Sequence, residues 1–157
     1  MRRYWAVIIA ALLLQPAIGA PAAACSYAPQ PPLPTAPLKI ETARGVYAFA
    51  VELAVTQDQR ACGLMHRPRL ARDAGMLFKQ DPPGPAFFWM KNTPQPLDML
   101  FIGQDGRILH IARHTTPYST QSYGTEKTVA AVLELAAGMT TRIAAAPGDR
   151  VRHAWFE

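Results

Sequence analysis

Three basic side chains are the residues best suited to chemistry in this sequence. Arg60 and Arg67 stand seven positions apart in a segment that also contains Gly63, so a helix would place both arginines on one face. Lys91 follows later in the chain, two residues after Trp89. Guanidinium and ammonium groups hold carboxylate, phosphate or sulfate by charge-assisted hydrogen bonds. Convergence of the three cations would create a site for a small anion, whereas a solvated helix face is the alternative.

A predicted hairpin would bring Asp98 opposite Lys91. With residues 93–96 as the loop, Lys91 pairs with Asp98 and Met90 pairs with Met99. The mixed face would carry Trp89, Lys91, Asp98, Leu100 and Ile102, and the core face would carry Phe88, Met90, Met99 and Phe101. Such a Lys–Asp pair is either a structural ion pair or an acid–base couple, and a one-residue slip would exchange the two faces.

Other reactive groups form weaker patterns. Cys62 and His66 have the spacing of a nucleophile and a base on one helix, but no neighbouring group in the sequence activates the thiol. The methionines and histidines are scattered through apolar segments and lack the spacing of a metal-ligand cluster. No phosphate-loop, dinucleotide or serine-hydrolase motif occurs. The sequence therefore predicts no metal and no cofactor, and it leaves the catalytic residues unknown.

Short apolar segments and strong turns must position these side chains. Thr56 and Gln59 have the form of a capping box, which predicts a helix over residues 57–66. A second short helix is predicted after Ala137. Strands are predicted at residues 46–53, 75–78, 87–93, 97–102, 107–113 and 128–135, with a last strand after the turn at 147–149. Proline and glycine turns lie at residues 82–85, 94–96 and 105–106.

Many short strands with few helical residues indicate an α+β class that is rich in β structure. We expect a single small domain with a curled, mostly antiparallel sheet or partial barrel and two short helices. A chain of 157 residues is too short for several large domains.

Residues 1–24 have the pattern of a secretory signal peptide. Arg2 and Arg3 precede an apolar run over residues 6–14, and the alanines at 22–24 suit a signal peptidase. A membrane anchor is the alternative, but a spanning helix needs about 20 apolar residues, which this run does not provide. We therefore expect an exported, periplasmic protein.

Cys25 would be the first residue after cleavage, and three fates are open to it. A cysteine after small residues resembles a bacterial lipoprotein signal, so lipidation of Cys25 would tether the domain to a membrane. Against this, Ala22 stands where such signals usually have leucine. The thiol could instead stay free, or form a disulfide with Cys62 in an oxidising compartment.

Residues 25–37 form a predicted proline-rich spacer. Five prolines between positions 29 and 37 favour an extended polyproline II conformation and disfavour the interior of a sheet. A ligand for a proline-binding module is a narrower alternative. The globular domain is therefore expected over residues 38–157.

The charge balance argues against a dedicated nucleic-acid binder. The chain has 16 Lys and Arg against 11 Asp and Glu, and two of its arginines lie in the predicted signal peptide. The remaining excess is small and contains no basic run, whereas nucleic-acid binding needs clustered cations. The expected partner is a small anionic or polar ligand, with membrane contact only through a lipid on Cys25. The oligomeric state stays unknown.

Several segments together resemble the family of domains of unknown function that is numbered 192. They are RACGLMHR at 60–67, GMLF at 75–78, FWMKNT at 88–93 and PLD at 96–98, in the family's order and at similar spacing. The similarity extends from Ile40 to Val151 and implies an exported, β-rich single domain without an established activity. Cys62 and His66 stand at variable positions. The hallmark residues that this resemblance carries over are Arg60, Gly63, Met65, Arg67, Trp89, Lys91, Asn92 and Asp98.

Three functions fit these observations. The first is a binding module that holds a small polar or anionic ligand of the cell envelope. Its ligand-binding residues would be Arg60, Met65, Arg67, Trp89, Lys91, Asn92 and Asp98. The second is a hydrolase- or lyase-type enzyme in which Lys91 or Asp98 acts as acid or base. The third is a structural partner of another envelope protein, with no small ligand.

Overall fold

The computed structural model describes residues 25 and 27–156 of the chain. This part contains seven strands and two short helices. They are, in chain order, β1 (Thr35–Thr42), β2 (Gly45–Ala54), α1 (Gln57–Cys62), β3 (Ala74–Phe88), β4 (Leu97–Ile102), β5 (Ile108–Ala112), β6 (Tyr123–Ala136), α2 (Met139–Arg142) and β7 (Arg150–Arg152). The predicted signal peptide at 1–24 lies outside the described residues. No helix within residues 25 and 27–156 is long and apolar enough to cross a bilayer.

All seven strands form one sheet of order β5-β4-β6-β3-β2-β1-β7. Neighbouring strands are antiparallel except β2 and β3, which are parallel and are connected through α1. The sheet curls into a half-barrel, and its two end strands approach each other where Arg107 pairs with Arg150. The predicted fold class, a β-rich α+β domain with a curled sheet and two short helices, is confirmed.

The two faces of this sheet bury separate apolar clusters. The inner cluster fills the concave side, because every strand contributes to it: Leu38, Ile40, Phe49, Val51, Leu77, Leu100, Ile102, Ile108, Ile111, Ala131, Leu133, Leu135 and Val151, together with residues around α2. The outer cluster covers the convex side with Ala54, Leu64, Met76, Phe78, Ala86, Met90, Leu97, Met99, Phe101, Val129 and Val132. The predicted core set is confirmed, since Met90, Met99 and Phe101 belong to the outer cluster and Phe88 packs against it.

Helix α1 begins at the predicted capping box and ends earlier than expected. The Thr56 hydroxyl accepts a hydrogen bond from the Gln59 amide, and the Gln59 side chain accepts one from the Thr56 amide. The helix stops at Gly63, which has φ of 47°. A Cβ at this position would lie 3.2 Å from the Phe78 ring, so glycine allows the end of α1 to approach the outer cluster.

The predicted hairpin between residues 87–93 and 97–102 is wrong. β3 pairs with β2 and β6, and β4 pairs with β5 and β6, so β6 lies between the two predicted partners. Lys91 consequently has no cross-strand position opposite Asp98. The error arises because adjacent strand patterns were paired by their short connection, whereas the apolar strand β6, later in the chain, pairs with both.

Two proline-rich segments are part of strands, although the sequence predicts a turn and a spacer there. β3 continues through residues 82–85, where a turn is predicted, with shifts of register on either side of Gly84. β1 begins at Thr35, within the predicted spacer. The Pro34 carbonyl accepts a hydrogen bond from the Leu53 amide of β2 at 2.9 Å. In an antiparallel pair only every second residue bonds to the partner strand, so the even-numbered residues of β1 bond to β2. The nitrogen of Pro37 therefore faces the opposite edge of β1, toward β7. β7 pairs there only with residues 39–41, and Pro37 interrupts no ladder.

The segment before β1 packs against α1. A disulfide joins Cys25 to Cys62. The Gln30 side chain donates to the carbonyls of Gln59 and Gly63 at 3.1 and 2.8 Å. The Leu33 amide donates to the Glu52 carboxylate at 2.7 Å. Of the three fates predicted for Cys25, the structure contains the disulfide. The same sulfur cannot also carry a thioether lipid, and lipidation of a chain without the disulfide stays a prediction.

We expect Cys25→Ser to lower the free energy of unfolding by about 2–4 kcal/mol in non-reducing buffer, as measured by urea denaturation. The reason is that the disulfide closes a loop with a sequence separation of 37. A thiol reductant should bring the parent protein down to the level of the variant and leave the variant unchanged. A parent that is insensitive to reductant would contradict the structural role of this bond.

Candidate functional site

A cavity of about 350 Å³ lies on the convex side of the sheet, between the outer cluster and α1. Its volume is within the range of small-molecule sites. Its walls come from α1 and the turn that follows it, from β3 and the segment after β3, and from β6. The residues with functional groups or aromatic rings in this lining include Arg60, Phe78, Phe88, Trp89, Lys91 and Glu134.

Two cations border the cavity without acidic partners among the described residues. Arg60 lies in the last turn of α1, and its guanidinium donates to the carbonyl of Val55. Lys91 is exposed, and its Nζ lies 5.1 Å from the centre of the Trp89 ring, a cation–π contact. The ion pairs among residues 25 and 27–156 involve other side chains. Both cations are therefore available to an anionic group.

Aromatic rings form the apolar part of the cavity wall. Phe78 and Phe88 pack edge to face with their centroids 5.1 Å apart. Trp89 is half-exposed beside them, and Phe87 is similarly exposed. Large apolar side chains that stay exposed next to a cavity can contact the apolar part of a ligand.

Glu134 is a buried acid that faces the cavity. It is 4% exposed, and on β6 it lies between Met76 of β3 and Met99 of β4. No side chain or backbone donor among the described residues bonds to its carboxyl group. Desolvation by burial raises the pKa of Glu134 from 4.5 to about 8, so the side chain is mainly protonated at neutral pH.

The sequence analysis missed Glu134 as a site residue. The signal was a single acid between Leu133 and Leu135, in a segment that is otherwise apolar on both faces. A strand buried on both faces has no solvent side for such an acid, so its carboxyl group must be buried.

Four of the seven predicted ligand-binding residues line the cavity: Arg60, Met65, Trp89 and Lys91. Asn92 lies just outside the lining. Its backbone has φ of 56°, its carbonyl accepts from the His66 amide at 2.7 Å, and its side-chain amide lies 3.9 Å from the Met65 sulfur. Asn92 thus connects the turn after α1 with the segment after β3, and a direct role in binding stays a prediction.

Arg67 points to a different partner. Its guanidinium forms two hydrogen bonds with the carboxylate of Glu52, and both side chains are mostly buried. Burial opposes ionisation of Glu52, but the bonds from Arg67 and from the Leu33 amide outweigh it and lower the pKa of Glu52. The predicted convergence of three cations therefore reduces to Arg60 and Lys91 at the cavity, and any contact of Arg67 with a ligand stays a prediction.

Asp98 is fully buried away from the cavity lining. Its two carboxylate oxygens accept from the His114 amide at 3.0 Å, and from the amide and hydroxyl of Thr140 at 2.9 and 2.6 Å. These bonds join β4 to the loop after β5 and to α2. Asp98 therefore has a structural role, because it links β4 to the neighbouring loop and helix, and it does not pair with Lys91 as predicted.

A larger groove of about 690 Å³ is lined by Arg69, Arg72 and Arg142. All three arginines are exposed, and this groove contains no buried ionisable side chain. Within residues 25 and 27–156, no three His, Cys, Asp or Glu side chains come together as metal ligands would. The cavity with Glu134 is therefore the better candidate for a specific site.

Together, the half-barrel and the cavity on its convex face define a small β-rich domain of one recognisable kind. The chain belongs to the family DUF192, described as "Uncharacterized ACR", whose model matches residues 39–153. The predicted family is thus confirmed, and its description assigns no activity.

Two solved structures are similar to this chain. One is a "putative transcription regulator" from Sinorhizobium meliloti 1021, with 42% identity, a TM-score of 0.77, and coverage of 80% of this chain and 98% of the other. The second is a protein of unknown function from Novosphingobium aromaticivorans DSM 12444, with 37% identity, a TM-score of 0.76, and coverage of 84% and 96%. A search of curated proteins finds no significant match.

Glu134→Gln should gain stability relative to the parent protein as the pH rises. Because its folded-state pKa is raised, Glu134 keeps a proton that the unfolded chain loses, so parent stability falls from about pH 4.5 to pH 8 and then levels off. Glutamine has no such titration. The difference in unfolding free energy between variant and parent should therefore grow by roughly 3–5 kcal/mol between pH 4.5 and pH 9.

Urea denaturation of both proteins at pH 5 and pH 9 measures this change. Glu126→Gln is the matched control, because Glu126 is exposed on the same strand. If the difference in unfolding free energy between Glu134→Gln and the parent is the same at both pH values, burial does not hold the carboxyl group neutral.

Asp98→Asn should lower the free energy of unfolding by about 1–3 kcal/mol, because an amide NH2 would replace one of the two accepting oxygens in a buried network. Thermal or urea denaturation measures this loss. Ligand affinity at the cavity should be unchanged, since Asp98 is not part of its lining. If a folded Asp98→Asn variant lost ligand binding, Asp98 would have to be counted among the ligand-binding residues.

Proposed function

We propose that this domain binds a small anionic or polar ligand with an apolar part, in the cavity beside Trp89. The observation that carries the proposal is one small cavity that combines an aromatic wall with two cations, Arg60 and Lys91, which form no ion pair among the described residues. An exported location in the cell envelope rests on the signal-peptide pattern of residues 1–24.

The cations support the anionic part of the ligand. Arg60 offers a planar guanidinium that is held in place by its bond to the Val55 carbonyl. Lys91 is exposed but restrained by its contact with the Trp89 ring. A carboxylate or phosphate between them would form charge-assisted hydrogen bonds, which are about twice as strong as neutral ones.

The aromatic wall supports the apolar part of the ligand. Phe78 is fully buried and Phe88 is partly buried, so these rings offer a rigid surface that loses little side-chain entropy on binding. Half-exposed Trp89 would lose contact with water when a ligand occupies the cavity. That burial adds a hydrophobic contribution to the binding free energy.

The enzyme alternative has no geometric support from Lys91 and Asp98. Lys91 borders the cavity, whereas both Asp98 oxygens are bonded to Thr140 and the His114 amide. The interaction alternative rests on a different observation, the exposure of Phe87, Trp89 and Tyr118. Those rings would be buried by a protein partner without a small ligand.

Phenyl phosphate is a suitable first probe, because it combines an aromatic ring with a dianion and is small enough for a cavity of about 350 Å³. We expect Lys91→Ala and Arg60→Ala each to weaken its binding by about 5- to 20-fold, the effect of losing one charge-assisted bond. Quenching of tryptophan fluorescence on titration measures the affinity. Lys39→Ala is the matched control, because Lys39 is exposed on β1 and away from the cavity.

Equal affinity of parent, Lys91→Ala and Arg60→Ala would overturn the anion site. Absence of any binding by the folded parent would overturn it as well and would favour the interaction alternative.

A further inference from the structure

The cavity lining combines an acid and two cations that differ in burial. Glu134 is at the buried end, is 4% exposed, and has no hydrogen bond among the described residues. Arg60 is partly exposed and Lys91 is exposed, so we infer that both lie toward the open end; neither cation has an ion pair among the described residues. A proton-bearing acid and two cations thus face the same small volume.

We propose that the ligand is a small zwitterion, whose ammonium group pairs with Glu134 while its carboxylate meets Arg60 and Lys91. This inference rests on the proposed function and adds the chemical class of the ligand. An amino acid or a short peptide-like molecule with an apolar segment between its charges belongs to this class.

The residues next to Glu134 are apolar, so a hydrogen-bonding or charged partner for its carboxyl group would have to come from a ligand in the cavity. Met76 on β3 and Met99 on β4 flank it across the sheet, and Val132 is its apolar neighbour on the same face of β6. The other charged groups in the cavity lining are Arg60, from α1, and Lys91, from the segment after β3. Burial raises the pKa of Glu134 to about 8, which shows how strongly its surroundings disfavour an unpaired carboxylate.

A ligand with a single charge would satisfy only one end of the cavity. A simple anion would reach the cations but leave Glu134 unpartnered in an apolar environment, which is costly for a polar group. A simple cation could pair with Glu134 but would meet two like charges at the open end. A zwitterion satisfies both ends, and the faces of Phe78, Phe88 and Trp89 would stabilise its ammonium group on the way.

Pairing with an ammonium group changes the protonation of Glu134. Before binding, the carboxyl group is mainly neutral below pH 8. When the ligand arrives as an ammonium ion, the Glu134 O–H bond breaks, the proton passes to solvent buffer, and the carboxylate remains as the partner of the ligand. The ligand keeps its own proton, so binding below pH 8 releases up to one proton per site.

Three probes of matched shape test the proposal: 6-aminohexanoate, hexanoate and hexylammonium. They have unbranched alkyl chains of similar length and differ mainly in which ends are charged. In isothermal titration calorimetry we expect the parent protein to bind 6-aminohexanoate at least about tenfold more tightly than either other probe. Glu134→Gln should bind 6-aminohexanoate no more tightly than hexanoate, and its affinity for hexanoate should equal that of the parent. Lys91→Ala should bind 6-aminohexanoate no more tightly than hexylammonium. Glu126→Gln, exposed on the same strand, should behave as the parent.

Proton release is an independent signature that needs no variant. The binding enthalpy of 6-aminohexanoate, measured at pH 6.5 in two buffers with different ionisation enthalpies, should indicate release of close to one proton. Hexanoate should release none under the same conditions, because it offers no cation to Glu134.

The outcomes separate the two proposals. If hexanoate binds as tightly as 6-aminohexanoate and loses affinity in Lys91→Ala, the zwitterion is overturned and the anion site stands. If 6-aminohexanoate binds without proton release, pairing with Glu134 is overturned. If neither hexanoate, phenyl phosphate nor 6-aminohexanoate binds the folded parent, both proposals fail.

Discussion

The need to bury both faces of β6 determines the architecture of this domain. Residues 131–135 are buried without exception, and alternation along the strand sends Leu133 and Leu135 to the concave side and Val132 and Glu134 to the convex side. The curl of the sheet covers the concave face. The convex face needs a separate cover, which α1, the segment after β3 and the disulfide-linked residues before β1 supply. The cavity is the place where this cover is incomplete.

The raised pKa of Glu134 follows from its buried position between two strands of the sheet. A Cβ at Gly75 would lie 2.9 Å from the Glu134 carbonyl oxygen, so glycine permits a close approach of β3 to β6. With Met76 and Met99 on either side, the backbone of Glu134 is held by ladders on both edges. The side chain is 4% exposed and borders the cavity, and no donor among the described residues bonds to it. Burial and register, more than any charged neighbour, define the chemistry of the site.

Local patterns predicted most elements, whereas pairing between distant elements could not be predicted from them. The capping box at Thr56 and the apolar run at 97–102 have local causes, and both are where the sequence indicates. Arg60 and Lys91 were identified because their residue types are suited to anions. Asp98 was misplaced, because its position depends on β6 pairing between β3 and β4. Glu134 was missed for the same reason: an acid in an apolar strand becomes informative only when both faces of that strand are known to be buried.

The meeting of the sheet's two ends also limits the strand edge that is free to pair with another chain. Next to the bridge between Arg107 and Arg150, the Ile108 amide donates to Asp149 O at 2.9 Å and the Val151 amide donates to Gly106 O at 2.8 Å. β7 is only three residues long, and its neighbourhood is engaged by these bonds. Little free backbone is left there to add a strand from another molecule, the contact through which many β-proteins aggregate. Curling thus leaves less free strand edge at this end of the sheet than an open sheet of seven strands would have.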